Sequence, residues 1–269
     1  MTTGAAAASH ASGEGHRPIA VVTVCRNPGA QLAGALDSVA ALRDARVRHI
    51  VVDGASTDGT AEHLARAGHA LHRWISEPDR GIYDAMNKGW VAAPANAWLL
   101  FLGADDRLLR VPPADEMREH EASGCALVYG STEIAGGQTF PSRYGPELRL
   151  HNTLHHQSLL VRKDAHPEPP FDATLRVYGD WEFNLRLWRA GATARHSPTL
   201  RAQASPGGIS ALPPIGETWR IASRHSALPV ALTAAAMAAA SRLRIAVRGH
   251  RESRHARVPS AVRKAGGSA

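Results

Sequence analysis

The sequence predicts an α/β fold, with a mostly parallel central sheet flanked by helices. Three observations carry that expectation. Residues Ile19–Cys25 (IAVVTVC) form a continuous run rich in β-branched side chains, the pattern of a strand buried on both faces. Strand-like and helix-like segments then alternate as far as Leu102, and repeated β-α-β-α connections build a parallel sheet with helices on both faces. Of the 269 residues, 44% are hydrophobic and 20% charged, which supplies a sizeable core and excludes global disorder.

The elements follow in order. Asn27 and Pro28 are placed to cap and open a helix that carries Leu32, Leu36 and Val39 at helical spacing. His49–Asp53 reads as a second strand, and Thr60–Ala67 as a helix that Gly68 stops. Leu71–Ser76 is a third strand. Ile82, Ala85, Met86 and Gly89 form one face of a helix, and Ala97–Leu102 is a fourth strand. Beyond Asp106 the rhythm changes. Ala126–Tyr129, Glu133–Ile134 and Ser158–Val161 read as strands of a mixed region. Trp181–Ala190 is a helix, capped by Asp180 and ended by Gly191. Residues 1–17 lack apolar bulk and are expected to be disordered; Ala5–Ala8 is too short and too weakly apolar for a signal peptide core.

Charge is concentrated at one end. The net charge is +7, but residues from Gly216 onward hold ten Lys/Arg against two Glu, while the remainder holds 21 against 22 acidic residues. This distribution argues against reading the whole protein as a nucleic-acid binder, and no nucleic-acid partner is expected. Two cysteines, Cys25 and Cys125, exclude a disulfide-stapled scaffold and suit a reducing, cytoplasmic compartment. Ser226–Ser241 is uncharged for 16 residues and is followed by Arg242, Arg244, Arg248, Arg251, Arg254 and Arg257. It is shorter than the roughly 18–20 residues of a membrane span. An Ala-rich helix packed on the main domain and a helix lying on an anionic membrane surface both fit this pattern.

Chemistry gathers beyond the carboxyl ends of the strands, where open α/β sheets bind ligands. Strand two ends in Asp53-Gly54-Ala55-Ser56-Thr57-Asp58-Gly59-Thr60, and strand four in Gly103-Ala104-Asp105-Asp106. Asp105 and Asp106 are adjacent carboxylates after an apolar strand. Their repulsion is relieved by a cation or by solvation in a turn, and oxygen-only ligands favour Mg²⁺ or Mn²⁺. The segment from Glu77 to Gly89 (EPDRGIYDAMNKG) puts Arg80, Asp84 and Lys88 at the mouth of an apolar helix. Asp84 and Lys88 have the spacing of a surface ion pair, but the polar density there points to ligand contact.

VVTVCRN, VVDGASTDGT, SEPDRGIYDAMNKG and FLGADD, in this order and spacing, resemble the family 2 glycosyltransferases with the GT-A fold. Within that family the chain is similar to the colanic-acid and mycobacterial phenolic-glycolipid transferases, over roughly residues 18–212. The resemblance implies a Rossmann-like catalytic domain at 18–212, followed by a helical, basic tail at 213–269. It implies that Asp53 holds the base of a nucleoside-diphosphate sugar, that Asp84 adds a nucleoside contact, and that Arg80 approaches the phosphates with Lys88 nearby. Asp106 would be the metal ligand for Mn²⁺ or Mg²⁺, and Asp105 would contact ribose or donor sugar. Gly179-Asp180-Trp181-Glu182-Phe183-Asn184-Leu185-Arg186-Leu187 is similar to the family's base segment, with Gly179 where relatives carry Glu. Asp180 is then the expected base and Glu182 the second choice. His156 and Gln157 resemble a recurring His-Gln assigned to donor sugar or acceptor, and Gly207-Gly208-Ile209-Ser210 resembles a loop that closes over the diphosphate.

The expected protein is a metal-dependent, inverting glycosyltransferase acting on a glycolipid or exopolysaccharide intermediate, at or near the inner face of the cell membrane. A retaining mechanism needs a nucleophile beneath the sugar, and the sequence offers none. A nucleotide-sugar-binding module without transferase activity, or a basic adaptor acting through the tail, are the rival readings. A dinucleotide-dependent dehydrogenase is excluded because Arg26-Asn27-Pro28-Gly29 lacks a G-x-G-x-x-G turn.

Overall fold

A computed structural model of the chain describes residues 2–5, 17–134, 137–166, 168–205 and 212–255. Its strands are β1 (Thr2–Ala5), β2 (Ile19–Cys25), β3 (Val47–Asp53), β4 (Arg73–Ser76), β5 (Trp98–Gly103), β6 (Arg107–Arg110), β7 (Leu127–Ile134), β8 (Gln138–Phe140), β9 (Leu159–Arg162) and β10 (Ala194–Ala204). They join one sheet in the order β1-β4-β3-β2-β5-β9-β7-β10-β6, with β8 added to β7. The run β4-β3-β2-β5 is parallel. β9 lies antiparallel to both β5 and β7, and β10 returns parallel to β7.

The helices are α1 (Gln31–Ala40), α2 (Thr60–Ala67), α3 (Ile82–Ala92), α4 (Ala114–Ala122), α5 (Gly179–Arg189), α6 (Ile215–His225) and α7 (Leu228–His255). The two-residue period of the strands sorts the core. Ala20, Val22 and Val24 of β2 face a cluster built with α3, α5, α6 and the start of α7. Ile19 and Val21 face the opposite layer, with Ala35 and Val39 of α1 and Met117 of α4. Gly89 lets α3 lie close on the sheet: a Cβ there would stand 2.2 Å from Val22 Cγ1.

Several expectations change. Asn27 is no helix cap: it sits at φ 49° in the loop, and α1 starts only at Gln31. Its side chain instead ties two loops together, accepting the Thr57 N–H at 2.7 Å. Residues 2–5 are not disordered but pair antiparallel with β4. Asp180 lies inside the first turn of α5, whose N-cap is Tyr178. Gly191, at φ 77°, does end that helix: its N–H and that of Ala192 bond back to Trp188 and Leu187. The boundary at Leu212 does not separate a tail from the body, because Ile221, Ala222, Ala231 and Ala234 belong to the main core. The apolar stretch of the tail is also longer than the 16 uncharged residues: Leu228–Val247 is helical, and long and apolar enough by length and composition to cross a membrane.

Candidate active site

The carboxyl rim of the parallel strands carries the site. β9 runs against β5, so the residues preceding β9 meet those following β5. Gln157 Nε2 donates to Asp106 Oδ2 at 2.9 Å, and His156 Nδ1 stands 3.5 Å from Asp180 Oδ2. Two consecutive side chains thus join the expected metal ligand to the expected base.

Asp106 is buried, and backbone and side-chain donors fix its orientation. Besides Gln157, its carboxylate accepts the Ser205 N–H at 3.0 Å and the Gly103 N–H at 3.2 Å. Asp105 is exposed beside it. Both carboxylates crowd the same backbone position: a Cβ on Gly103 would lie 2.7 Å from an Asp106 oxygen and 2.9 Å from one of Asp105. Although the residue as a whole is exposed, partial desolvation of its carboxyl against the rim, and then the charge of Asp106, push it above its ordinary range. Among the described residues no three His, Cys, Asp or Glu side chains form a closed metal cage. The donor set still fits Mn²⁺ or Mg²⁺, which are commonly held by one or two carboxylates plus substrate phosphates. The Gly207–Ser210 loop lies outside the described residues.

Asp180 is held from four sides. Its Oδ1 accepts the Trp181 N–H at 2.9 Å and faces the Tyr83 hydroxyl at 3.2 Å; its Oδ2 accepts Asn152 Nδ2 at 2.8 Å. Asn184 Nδ2 donates in turn to Asn152 Oδ1. Burial, and then the Asp180 charge, raises the Tyr83 phenol well above its ordinary value, so it stays a donor. Burial alone would lower the His156 pKa, but Asp180, Asp106 and Asp105 outweigh it and the pKa is raised. Gly179 is explained here: a Cβ would meet the Tyr83 ring at 2.7 Å, so a larger side chain has no room.

Glu182, the second choice for the base, is excluded. It points to the other side of α5, where it is buried between Arg186 Nε at 2.8 Å and His225 Nε2 at 3.0 Å. Asp53 is also turned inward. It is fully buried, and its oxygens accept the Ser56 N–H, the Ser56 hydroxyl and the Ser76 hydroxyl. In this arrangement it organises the Gly54–Thr60 loop rather than presenting a carboxylate to a ligand. Arg80 and Asp84 do come together, through a 2.8 Å ion pair and an N–H bond from Arg80, and that bonding holds the Asp84 carboxyl below its usual range. Lys88 does not pair with Asp84. It bridges Glu77 at 3.0 Å and the Pro78 carbonyl at 2.6 Å, fixing the approach to α3. His155 packs on Phe140, and its Nδ1 lies 3.2 Å from Gln157 Oε1.

Three residues that matter to this site escaped the sequence reading. Glu217 of α6 accepts the consecutive N–H groups of Arg176, Val177 and Tyr178 at 2.7–3.0 Å, anchoring the loop that delivers Asp180. Asn87 of α3 makes a two-way bond with the backbone of Phe171. An Asn inside an otherwise apolar helix, against its helical preference, was the visible signal. Asp79 lies against Gly54, where a Cβ would be 2.1 Å from Oδ2, which explains the glycine after Asp53.

A parallel nucleotide-binding half joined through one reversed strand to a second half is the architecture of GT-A glycosyltransferases. Solved structures share it: S. aureus TarS 1-349 in complex with UDP (TM-score 0.60, 15% identity, covering 77% of this chain and 65% of that one). A second is the mannosyltransferase PcManGT from Pyrobaculum calidifontis in complex with GDP-Man and Mn²⁺ (TM-score 0.54, 16% identity, 84% and 74%). Residues 20–178 match Glycosyl transferase family 2, and the chain belongs to that family. It is 35% identical over 178 residues to the PGL/p-HBAD biosynthesis glycosyltransferases of Mycobacterium bovis and Mycobacterium tuberculosis, covering 60% of this chain. The alignment spans 66% of the length of those relatives. An uncharacterized glycosyltransferase of M. tuberculosis is 39% identical over 90 residues, 33% of this chain and 34% of that one.

Proposed function

We propose that the protein transfers a hexosyl or deoxyhexosyl group from a nucleoside-diphosphate sugar to a hydroxyl acceptor, with inversion at the anomeric carbon. The observation that carries this reading is the His156–Gln157 bridge, which sets one oriented carboxylate, Asp180, beside the Asp105–Asp106 pair. Asp180 takes the proton of the acceptor hydroxyl as it attacks. Asn152 and the Trp181 N–H fix its direction. Arg80 and Asp84 lie at the mouth of α3, where the nucleoside diphosphate would sit, and Asp53 shapes the base pocket through Ser56 and Ser76. A divalent cation held by Asp106, with Asp105 beside it, would neutralise the departing diphosphate. His156 faces the same three carboxylates and is placed to meet donor sugar or acceptor.

The PGL/p-HBAD relatives support a glycolipid acceptor, and the basic tail supports work at the inner face of the membrane. A pure binding module fits less well, because it has no use for a base held by four groups. The test is a thermal-shift panel of UDP, GDP and dTDP with and without Mn²⁺, followed by a transfer assay. One nucleotide is expected to stabilise the wild type by about 2.7 kcal/mol at 100 times its Kd. Asp106→Ala should lose the metal-dependent part, and Asp180→Asn should keep it while losing transfer. No stabilisation by any nucleotide overturns the proposal.

A further inference from the structure

We infer that the outer face of α7, together with the exposed start of α6, is a docking surface for an anionic lipid bilayer, on which the helix lies in the plane of the headgroups. This rests on the surface of the tail and not on the catalytic reading.

The inner face of α7 is already occupied: Ala231, Ala234 and Ala238 are buried in the molecule. The opposite face is apolar as well. Leu228, Leu232, Leu243 and Val247 fall on one side of the helix and are 62%, 54%, 66% and 46% exposed. Ile215 and Trp219, one turn apart on α6, are exposed too. Arg242 donates to the Pro213 carbonyl just ahead of α6, which joins the two exposed regions. A soluble helix presents polar residues outward; one apolar on both sides has a second partner.

Charge identifies that partner. Arg242 and Arg244 leave the helix on either flank of the Leu228–Leu232–Leu243 side, the arrangement in which an interfacial helix sinks its apolar face and sets cations on lipid phosphates. The chain continues with Arg257, Arg263 and Lys264 and no acidic residue after Glu252. The +8 excess of the sequence from Gly216 onward contrasts with a body that is close to neutral. A self-associating face would repel its own copy through these arginines. A spanning helix would have to strip Ala231 and Ala234 out of the core.

The experiment is flotation of the full chain with vesicles of phosphatidylcholine alone and of phosphatidylcholine with 30 mol% phosphatidylglycerol, a composition of the experimenter's choosing, at low and high salt. Binding to the anionic vesicles is expected to exceed binding to the neutral ones by roughly tenfold or more, and to fall with salt. Leu232→Glu/Leu243→Glu should abolish it, and Arg242→Glu/Arg244→Glu should weaken it by about tenfold or more. Both variants alter exposed positions, and an unchanged Tm verifies their fold. Equal binding to the two vesicle types, no binding, or a concentration-dependent dimer in light scattering that Leu232→Glu dissolves would overturn the inference.

Discussion

His49 offers a test of the fold that is independent of any ligand. Its imidazole is buried on β3, with Nε2 2.9 Å from the Thr23 hydroxyl, and burial lowers its pKa to about 4. In the unfolded chain the same group titrates near 6.5. Between those values the unfolded state binds more protons, so stability must rise with pH across that window and be lost as pH falls from about 6.5 toward about 4. At pH 4.5 the unfolded imidazole is almost fully protonated and the folded one only about a quarter. The linkage integral from pH 7.5 to 4.5 is then about 2–3 kcal/mol. His49→Gln keeps a partner for Thr23 and removes the titration. Thermal unfolding of both proteins at pH 7.5 and 4.5 isolates the term, since every other titrating group is common to the pair. The wild type should lose roughly 5–10 °C more than the variant on acidification. Equal losses would show that His49 is solvated or charged in the native state, and the reasoning about β3 burial would fail.

Other expectations follow from single contacts. Asn152→Leu removes a hydrogen bond to the Asp180 carboxylate and should lower turnover roughly 10–100-fold, leaving nucleotide Kd unchanged; steady-state kinetics beside calorimetric titration checks both. Gly89→Ala drives a methyl against Val22 and should cost about 1–3 kcal/mol, read as a lower urea midpoint. Gly179→Glu strikes the Tyr83 ring, so it should lose both stability and transfer; a gain in transfer would refute the steric account. Truncation after Leu212 removes Glu217 and Ile221 and should abolish cooperative unfolding by calorimetry, which a free-standing domain ending there would retain.

The parallel half was the most legible part of the chain. β2 is seen at its full length because a strand buried on both faces must be written in continuous apolar letters, and Ile19–Cys25 is. α2 is equally plain because Gly59 and Gly68 stand at its two caps. β10 was missed. Its sequence, ARHSPTLRAQA, buries only Ser197, Leu200, Ala202 and Ala204, so the inward letters carry little hydrophobic weight. Its register also shifts between His196 and Arg201, around Pro198. At the candidate site, the motif spacing singles out Asp106 and Asp180, which Gln157 and His156 respectively approach. It could not say which way a helical carboxylate points: Asp180 and Glu182 are two residues apart, and their contacts place them on different sides of α5. Glu217 was invisible because its partners lie about forty residues upstream and are backbone groups, which leave no trace in side-chain identity.

The reversal of β9 has a consequence for how such a protein can change. Gln157 and His156 reach the rim from before their strand, while Asp105 and Asp106 reach it from after theirs. The excursion from Gly137 to His155 brings Asn152 to Asp180, and none of its residues takes part in the pairing of β2, β3, β4 and β5. Under the proposed roles, the contacts to the nucleoside and those around the base would then be separately heritable on one sheet, the first tied to the four parallel strands and the second to one excursion of the chain.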